Sequence, residues 1–231
     1  IQEAVIRLRT PLWPQNAFGA LNPQQVEKGG ALFGQHCASC HVPSPQPANG
    51  AGRRFRERRA FAVGTDPVAV EQFAAGAEQR AAGLTRLSEA ILRLRHAQLL
   101  KRFNNDATLV ANTELFDSKG LPNNFALARD YNGKEGPAYW APSLQGVFAT
   151  SPYLHNGSVR TLGDLLTSPE QRPAQFHTGT NVYDPRELGL RDDGPFVYDT
   201  SEPGKSAQGH AYGTDLPLEQ KRALLEYLKS L

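Results

Sequence analysis

Apolar residues recur with a helical period in three stretches of the chain and are scattered elsewhere. The longest stretch runs from Leu84 to Phe103. There Leu87, Ile91, Leu92, Leu99, Leu100 and Phe103 form one stripe, with Arg86, Arg93, Lys101 and Arg102 mostly on the polar face. His96 stands four residues after Leu92 and four before Leu100, so it lies on or beside that stripe. At the other end, Leu224, Leu225, Leu228 and Leu231 define the buried face of a helix over 217–231. That helix opens at Asp215 or Leu216 and turns Lys221, Arg222 and Glu226 outward. A third helix opens at Asn22-Pro23, with asparagine at the cap, proline at the first helical position and Gln25 three residues after the cap. Val26, Ala31, Leu32 and Phe33 supply its apolar side.

The pattern is broken between these helices. Residues 1–21 carry prolines at 11 and 14 and read as an extended lead-in. Residues 43–52 are rich in Pro, Ser, Asn and Gly, residues 104–137 are irregular, and residues 167–213 are mostly loop. Two shorter helices interrupt the loops. Asp66 caps one that begins at Pro67 and reaches Phe73, which gives the aspartate a structural role. Thr161 to Leu166 is the other, with Asp164 completing a weak capping box.

Composition narrows the class. The chain has 231 residues, one large domain or two small ones, and its 21 glycines and 17 prolines require a large share of loop. Lys and Arg total 25 against 23 Asp and Glu, a balance that argues against nucleic acid as a partner. Arg53, Arg54, Arg56, Arg58 and Arg59 cluster within seven residues. They read as a solvated run, with a docking patch or a contact to cofactor carboxylates as the alternative. No apolar run approaches the roughly 20 residues that span a bilayer, and a start at Ile1 rather than Met implies processing or truncation.

The chemistry concentrates at Cys37-Ala-Ser-Cys40-His41, which holds the only two cysteines. In C-x-x-C-H both thiols can form thioethers with the vinyl groups of haem, and the adjoining imidazole is carried under the ring to the iron. All three attachments fall on about one helical turn. Plainer readings compete. A redox dithiol wants an adjacent βαβ pattern, which is lacking. A zinc site would need further ligands and fits adjacent Cys40 and His41 poorly. A disulfide across a two-residue loop gives little entropic stabilisation. Haem attachment of this kind takes place outside the cytoplasm, so the expected location is a bacterial periplasm or beyond. The chain has no methionine, which excludes a His/Met pair on the iron. The sixth position falls to another group such as His, Tyr, Lys or water, or to none.

A resemblance adds to this reading. Residues 141–162, from Ala141-Pro-Ser-Leu through Thr150-Ser-Pro152-Tyr-Leu-His155-Asn-Gly to Thr161-Leu162, resemble the segment that follows the C-terminal haem of bacterial di-haem cytochrome c peroxidases. Gly64-Thr-Asp-Pro, Pro152-Tyr-Leu-His-Asn-Gly-Ser-Val, Tyr183-Asp-Pro-Arg-Glu-Leu-Gly and Gly209-His-Ala-Tyr-Gly are closer still to the rubber-oxygenase-like branch of that superfamily. The resemblance covers most of residues 22–231. It implies a relay haem held by two histidines, the distal one contributed late in the chain, which favours His210. His96 and His155 remain alternatives, His155 matching a second-shell histidine of the peroxidases. It also implies that the carbonyls of Thr150 and Pro152 could help bind an inter-domain calcium ion. Those relatives carry two haems on one chain and only the C-terminal-like one is represented here.

The expectation is therefore a lead-in over 1–21 and a single domain over 22–231. That domain is expected to be a mostly α cytochrome c-type haem domain with long irregular loop insertions. One haem c is attached at Cys37 and Cys40, with His41 proximal and His210 distal. Its expected work is one-electron transfer with a redox partner protein or a second haem domain. The rival is a peroxidase or oxygenase acting on peroxide or oxygen at an open haem.

Overall fold

The computed structural model describes residues 10–41, 60–61, 63–72 and 139–231, together with Ala97 and Lys101. The stripe over 84–103 with His96, and the arginine cluster of 53–59, lie outside the described residues. By its contacts the chain divides into two compact units. One comprises Ile1–Leu8, Ser44–Glu57 and Ala69–Gly136; the other comprises Arg9–Pro43, Arg58–Val68 and Pro137–Leu231. Nearly all described residues belong to the second unit, and the fold below is that unit's.

Its frame is a pair of helices. A one-turn helix, α1 (Gln15–Phe18), precedes α2 (Pro23–His36). The N-terminus of α2 forms because the Asn22 side chain accepts the backbone N–H of Gln25 and Pro23 sits where no donor is needed. The closing helix, α4 (Leu218–Lys229), buries Ala223, Leu224, Leu225 and Leu228. The two helices pack closely because α2 presents glycine at the crossing. A Cβ on Gly29 would overlap the Ala223 carbonyl, and Gly30 lies against the Tyr227 ring. Phe33 meets the same tyrosine with ring centroids 5.2 Å apart. Ala31, placed by its sequence pattern on the apolar side, is exposed. The contact face is rotated toward the two glycines, which carry no hydrophobic signal of their own. Glu226 of α4 accepts the Asn22 backbone N–H at 2.8 Å, tying the start of one helix to the end of the other.

The remainder is short elements on a shared core. β1 (Ala60–Phe61) pairs antiparallel with β2 (Tyr139–Trp140). After a 3-10 turn at Val147–Ala149 comes α3 (Leu162–Leu165), whose Thr161 cap accepts the Asp164 N–H at 2.9 Å. β3 (Gln175–Thr178) pairs antiparallel with β6 (Phe196–Asp199), and β4 (Tyr183–Asp184) with β5 (Gly189–Leu190). Trp13, Phe33, Phe148, Val159, Leu188 and Leu224 belong to one apolar cluster, each burying enough side chain to contribute about 1.5–3 kcal/mol. Trp13 lies in the stretch read as an extended lead-in, yet it is buried against Phe148 and donates its indole N–H to the Gly19 carbonyl.

The mostly α expectation does not hold. Among the described residues only α2, with 14 residues, and α4, with 12, exceed two turns, and three two-stranded antiparallel sheets accompany them. The cause is visible in 167–213. Strands of two to four residues are too short to show a period-two alternation, so a stretch that reads as loop folds as two antiparallel pairs.

Candidate functional site

α2 runs directly into the cysteine motif. Cys37 N–H bonds back to the Phe33 carbonyl and ends the helix, and the N–H groups of Cys40 and His41 both turn back onto the Cys37 carbonyl, at 3.2 and 2.8 Å. This turn presents Cys37, Cys40 and His41 to one cavity of about 560 Å³, a size typical of cofactor sites. Both thiols are free, and burial followed by the nearby Cys40 pushes Cys37 up to about 11. The cavity is apolar: Leu144, Leu162, Leu165, Leu166, Leu224 and Leu228 contribute to its walls.

His41 is held in one tautomer. Its Nδ1 lies 2.9 Å from the Pro142 carbonyl, which can only accept, so Nδ1 carries the proton and Nε2 keeps its lone pair. Across the cavity stands His210, its ring centroid 6.1 Å from that of His41 and the two planes at 55°. Two imidazole nitrogens each about 2 Å from one metal, with roughly 1 Å more from nitrogen to ring centre, would set the centroids about 6 Å apart. His210 has φ +48, a left-handed conformation unusual for a non-glycine residue. Its backbone N–H donates to the Val63 carbonyl at 2.8 Å. The preceding Gly209 (φ +79) lies against Gly64 and Thr65 so closely that a Cβ there would overlap their backbone. Among the described residues, Nδ1 of His210 is buried without a hydrogen-bond partner.

Burial lowers the pKa of both histidines, and for His210 the facing His41 adds to the effect, down to about 4. Both rings are therefore neutral donors at physiological pH. The sign of the linked stability follows. The folded chain binds fewer protons at His210 than the unfolded chain, so it keeps its full stability above the ordinary value of 6.5 and loses it as pH falls toward about 4. In chain prepared without haem, the urea midpoint is expected to fall through that window, and His210→Gln is expected to flatten the fall. A midpoint equally pH-dependent in both proteins would contradict this.

The other described histidines have different neighbours. His155 also lines the cavity, but it is exposed and stacked flat on Tyr139 at 3.8 Å, with a pKa lowered mainly by burial. His177 is on β3, exposed and paired with Asp192. His36 lines the cavity beside Cys37, and His96 lies outside the described residues. Asp66 is buried and accepts the backbone N–H groups of Val68 and Ser206. Thr150 and Pro152, the candidate calcium pair, stand on the cavity wall.

The donor set fits a tetrapyrrole better than a bare ion. Among the described residues no three His, Cys, Asp or Glu side chains converge as a metal-ligand group, whereas a structural zinc ion requires four ligands. Two opposed imidazoles match a metal whose remaining positions are filled in plane by a macrocycle. The apolar walls suit its faces, and the thiols stand where its edge could be bonded. Two residues that position this site carry no signal in the sequence pattern. Pro142 acts through its carbonyl, which any residue possesses. Arg172, buried behind His210, reads in sequence as one more loop arginine.

Residues 138–177 match the family described as RoxA-like, cytochrome c-like. Over that segment the match supports a cytochrome c-like domain related to RoxA, and with it chemistry of the haem, cytochrome type. Along 97% of its length the chain is 32% identical to the uncharacterized protein y4iJ of Sinorhizobium fredii (strain NBRC 101917 / NGR234), of which it covers 41%. The uncharacterized protein y4iM of the same strain is 30% identical over 79% of the chain, with 40% of that protein covered. The chain thus spans about two fifths of the length of these curated relatives. Among the described residues no helix is long and apolar enough to cross a membrane.

Proposed function

We propose that this chain is an electron-transfer domain that binds one haem c between His41 and His210. The observation that carries the reading is the opposition of those two rings, 6.1 Å apart, in a cavity also lined by both cysteines. His41 and His210 would hold such a haem, which would supply one-electron iron chemistry at a lower potential than a His/Met pair and leave oxygen or peroxide no open site. Cys37 and Cys40 would each add S–H across a vinyl group, the sulfur bonding one carbon and the hydrogen going to the other. His41 presents Nε2 because the Pro142 carbonyl holds its Nδ1 proton. His210 would take the opposite side, and the leucine walls would lie against the apolar faces of the macrocycle.

Attachment of this type places the domain outside the cytoplasm, in a bacterial periplasm or beyond. Its electrons would be exchanged with a redox partner protein or a second haem domain. The test is the oxidised spectrum of protein matured with its haem. The wild type is expected to be low-spin by optical and electron paramagnetic resonance spectroscopy and inert to added cyanide. His210→Ala is expected to turn it largely high-spin and cyanide-binding. A wild type that is high-spin and reacts rapidly with peroxide would overturn the relay reading and favour an enzyme.

A further inference from the structure

We infer that Arg172 is the positioning residue of the distal side: its guanidinium fixes where the His210 ring stands and sets a permanent positive charge behind the two histidines. The inference rests on the bis-histidine reading above.

Arg172 follows the 3-10 turn Pro169–Gln171 and is only 6% exposed. A guanidinium has five N–H donors in a rigid plane, and here all five meet a backbone carbonyl. Nε donates to Thr167 at 3.2 Å. Nη1 donates to Ala207 at 2.6 Å and Gly209 at 2.8 Å. Nη2 donates to Leu165 at 3.0 Å and to His210 itself at 3.1 Å. Two of these carbonyls belong to the end of α3 and the residues just after it; three belong to the 207–210 loop. One side chain therefore fastens the histidine loop to the helix end.

The need for such a fastening is local. His210 occupies a left-handed conformation that a β-carbon disfavours, and such a conformation persists only where surrounding contacts over-determine it. Its N–H is taken by Val63, and its C=O is taken by Arg172. The peptide is gripped on both sides of the Cα that carries the ring. Without the guanidinium, the carbonyls of 207, 209 and 210 lose these donors together.

The charge is a separate matter from the hydrogen bonds. Among the described residues Arg172 makes no ion pair. Glu170 and Asp164 attract it from a distance, and the nearer basic partner of Asp164 is Arg160, at 3.6 Å. Burying an uncompensated cation is costly, and a loop could be fastened by neutral groups. Beside an iron that alternates between ferric and ferrous, the cation disfavours the more positive state. It acts in the same sense on His210, where it opposes protonation.

The two contributions separate experimentally because lysine keeps the charge but not the planar fork. Haem-loaded Arg172→Gln and Arg172→Lys are compared with the wild type by electron paramagnetic resonance, cyanide binding rate and midpoint potential, with circular dichroism showing that each is folded. Both variants are expected to gain a high-spin fraction and, unlike the wild type, to bind added cyanide. The midpoint is expected to fall in the glutamine variant and to stay nearer the wild type in the lysine variant. A purely structural role would lower thermal stability while leaving the spin state of the folded protein alone. Folded variants that remain wholly low-spin, with wild-type cyanide kinetics and midpoint, overturn the inference. Should the glutamine variant fail to accumulate, the lysine variant decides by the same spin-state and cyanide readouts. A wild type already high-spin would instead fail the His210 reading, so the two failures are distinguished before any substitution is made.

Discussion

Replacing Cys37 and Cys40 together by serine is expected to abolish covalent haem altogether. After acid denaturation the wild-type chain should weigh its amino acids plus one haem, and the double variant its amino acids alone. The chain has no other cysteine, so no second thiol can substitute. A serine hydroxyl is a far weaker nucleophile than a thiol and will not add to the vinyl in its place. Each single variant should keep one thioether and so retain the mass of haem. The effect is expected to be all-or-none because attachment depends on bond formation, whereas any affinity contributed by His41 and His210 would be lost on denaturation. A wild type without added mass, after maturation in a host that carries out haem attachment, would defeat the haem assignment at its base.

A second substitution, remote from the chemistry, should be almost as severe. Gly29→Val is expected to cost at least about 3 kcal/mol of stability, read as a lowered urea midpoint, since overpacking a tight crossing forces backbone to move. The reason is on the opposite helix: the added atoms would occupy the space of the Ala223 carbonyl and the Tyr227 side chain. Backbone cannot rotate away as the end of a flexible side chain can. Gly34, on the same helix, is the control. It is exposed with nothing within 4 Å of an added Cβ, so Gly34→Ala should be neutral or stabilising by up to about 1 kcal/mol through helix propensity. Equal losses at both positions would show that α2 fails for reasons of its own and not through its packing on α4.

The parts of the molecule legible in sequence are those whose signal is local. Asn22-Pro23 states the start of α2 because a cap and a proline act within one turn. The leucines at 224, 225 and 228 state the buried face of α4 because a helix repeats its environment every three to four residues. The Cys37-to-His41 motif is legible for the same reason, since its geometry is contained in five consecutive residues. What could not be read depends on residues distant in sequence. The β3–β6 pair is four residues long on each side, and His177 and Val197 meet only because the loop between them closes. The buried face of α2 turns away from Ala31 because the glycines that make the contact are recognised by the closeness of the partner helix and not by any hydrophobicity of their own. Within the site, periodicity and spacing alone left several histidines open. Among the described ones the neighbours differ: His210 faces His41, while His155 lies against Tyr139 and His177 against Asp192.

The tie between Asn22 and Glu226 joins groups 204 positions apart in the chain. α2 consequently packs on α4 only once the chain has been made as far as Lys229, and a pairing of such high contact order forms slowly. Closing so long a loop adds little to the equilibrium cost, about 0.6 kcal/mol for each doubling, so the penalty is one of time. Until the two helices meet, the cavity lined by Cys37 and Cys40 lacks its Leu224 and Leu228 wall, and nothing from α4 covers the thiols.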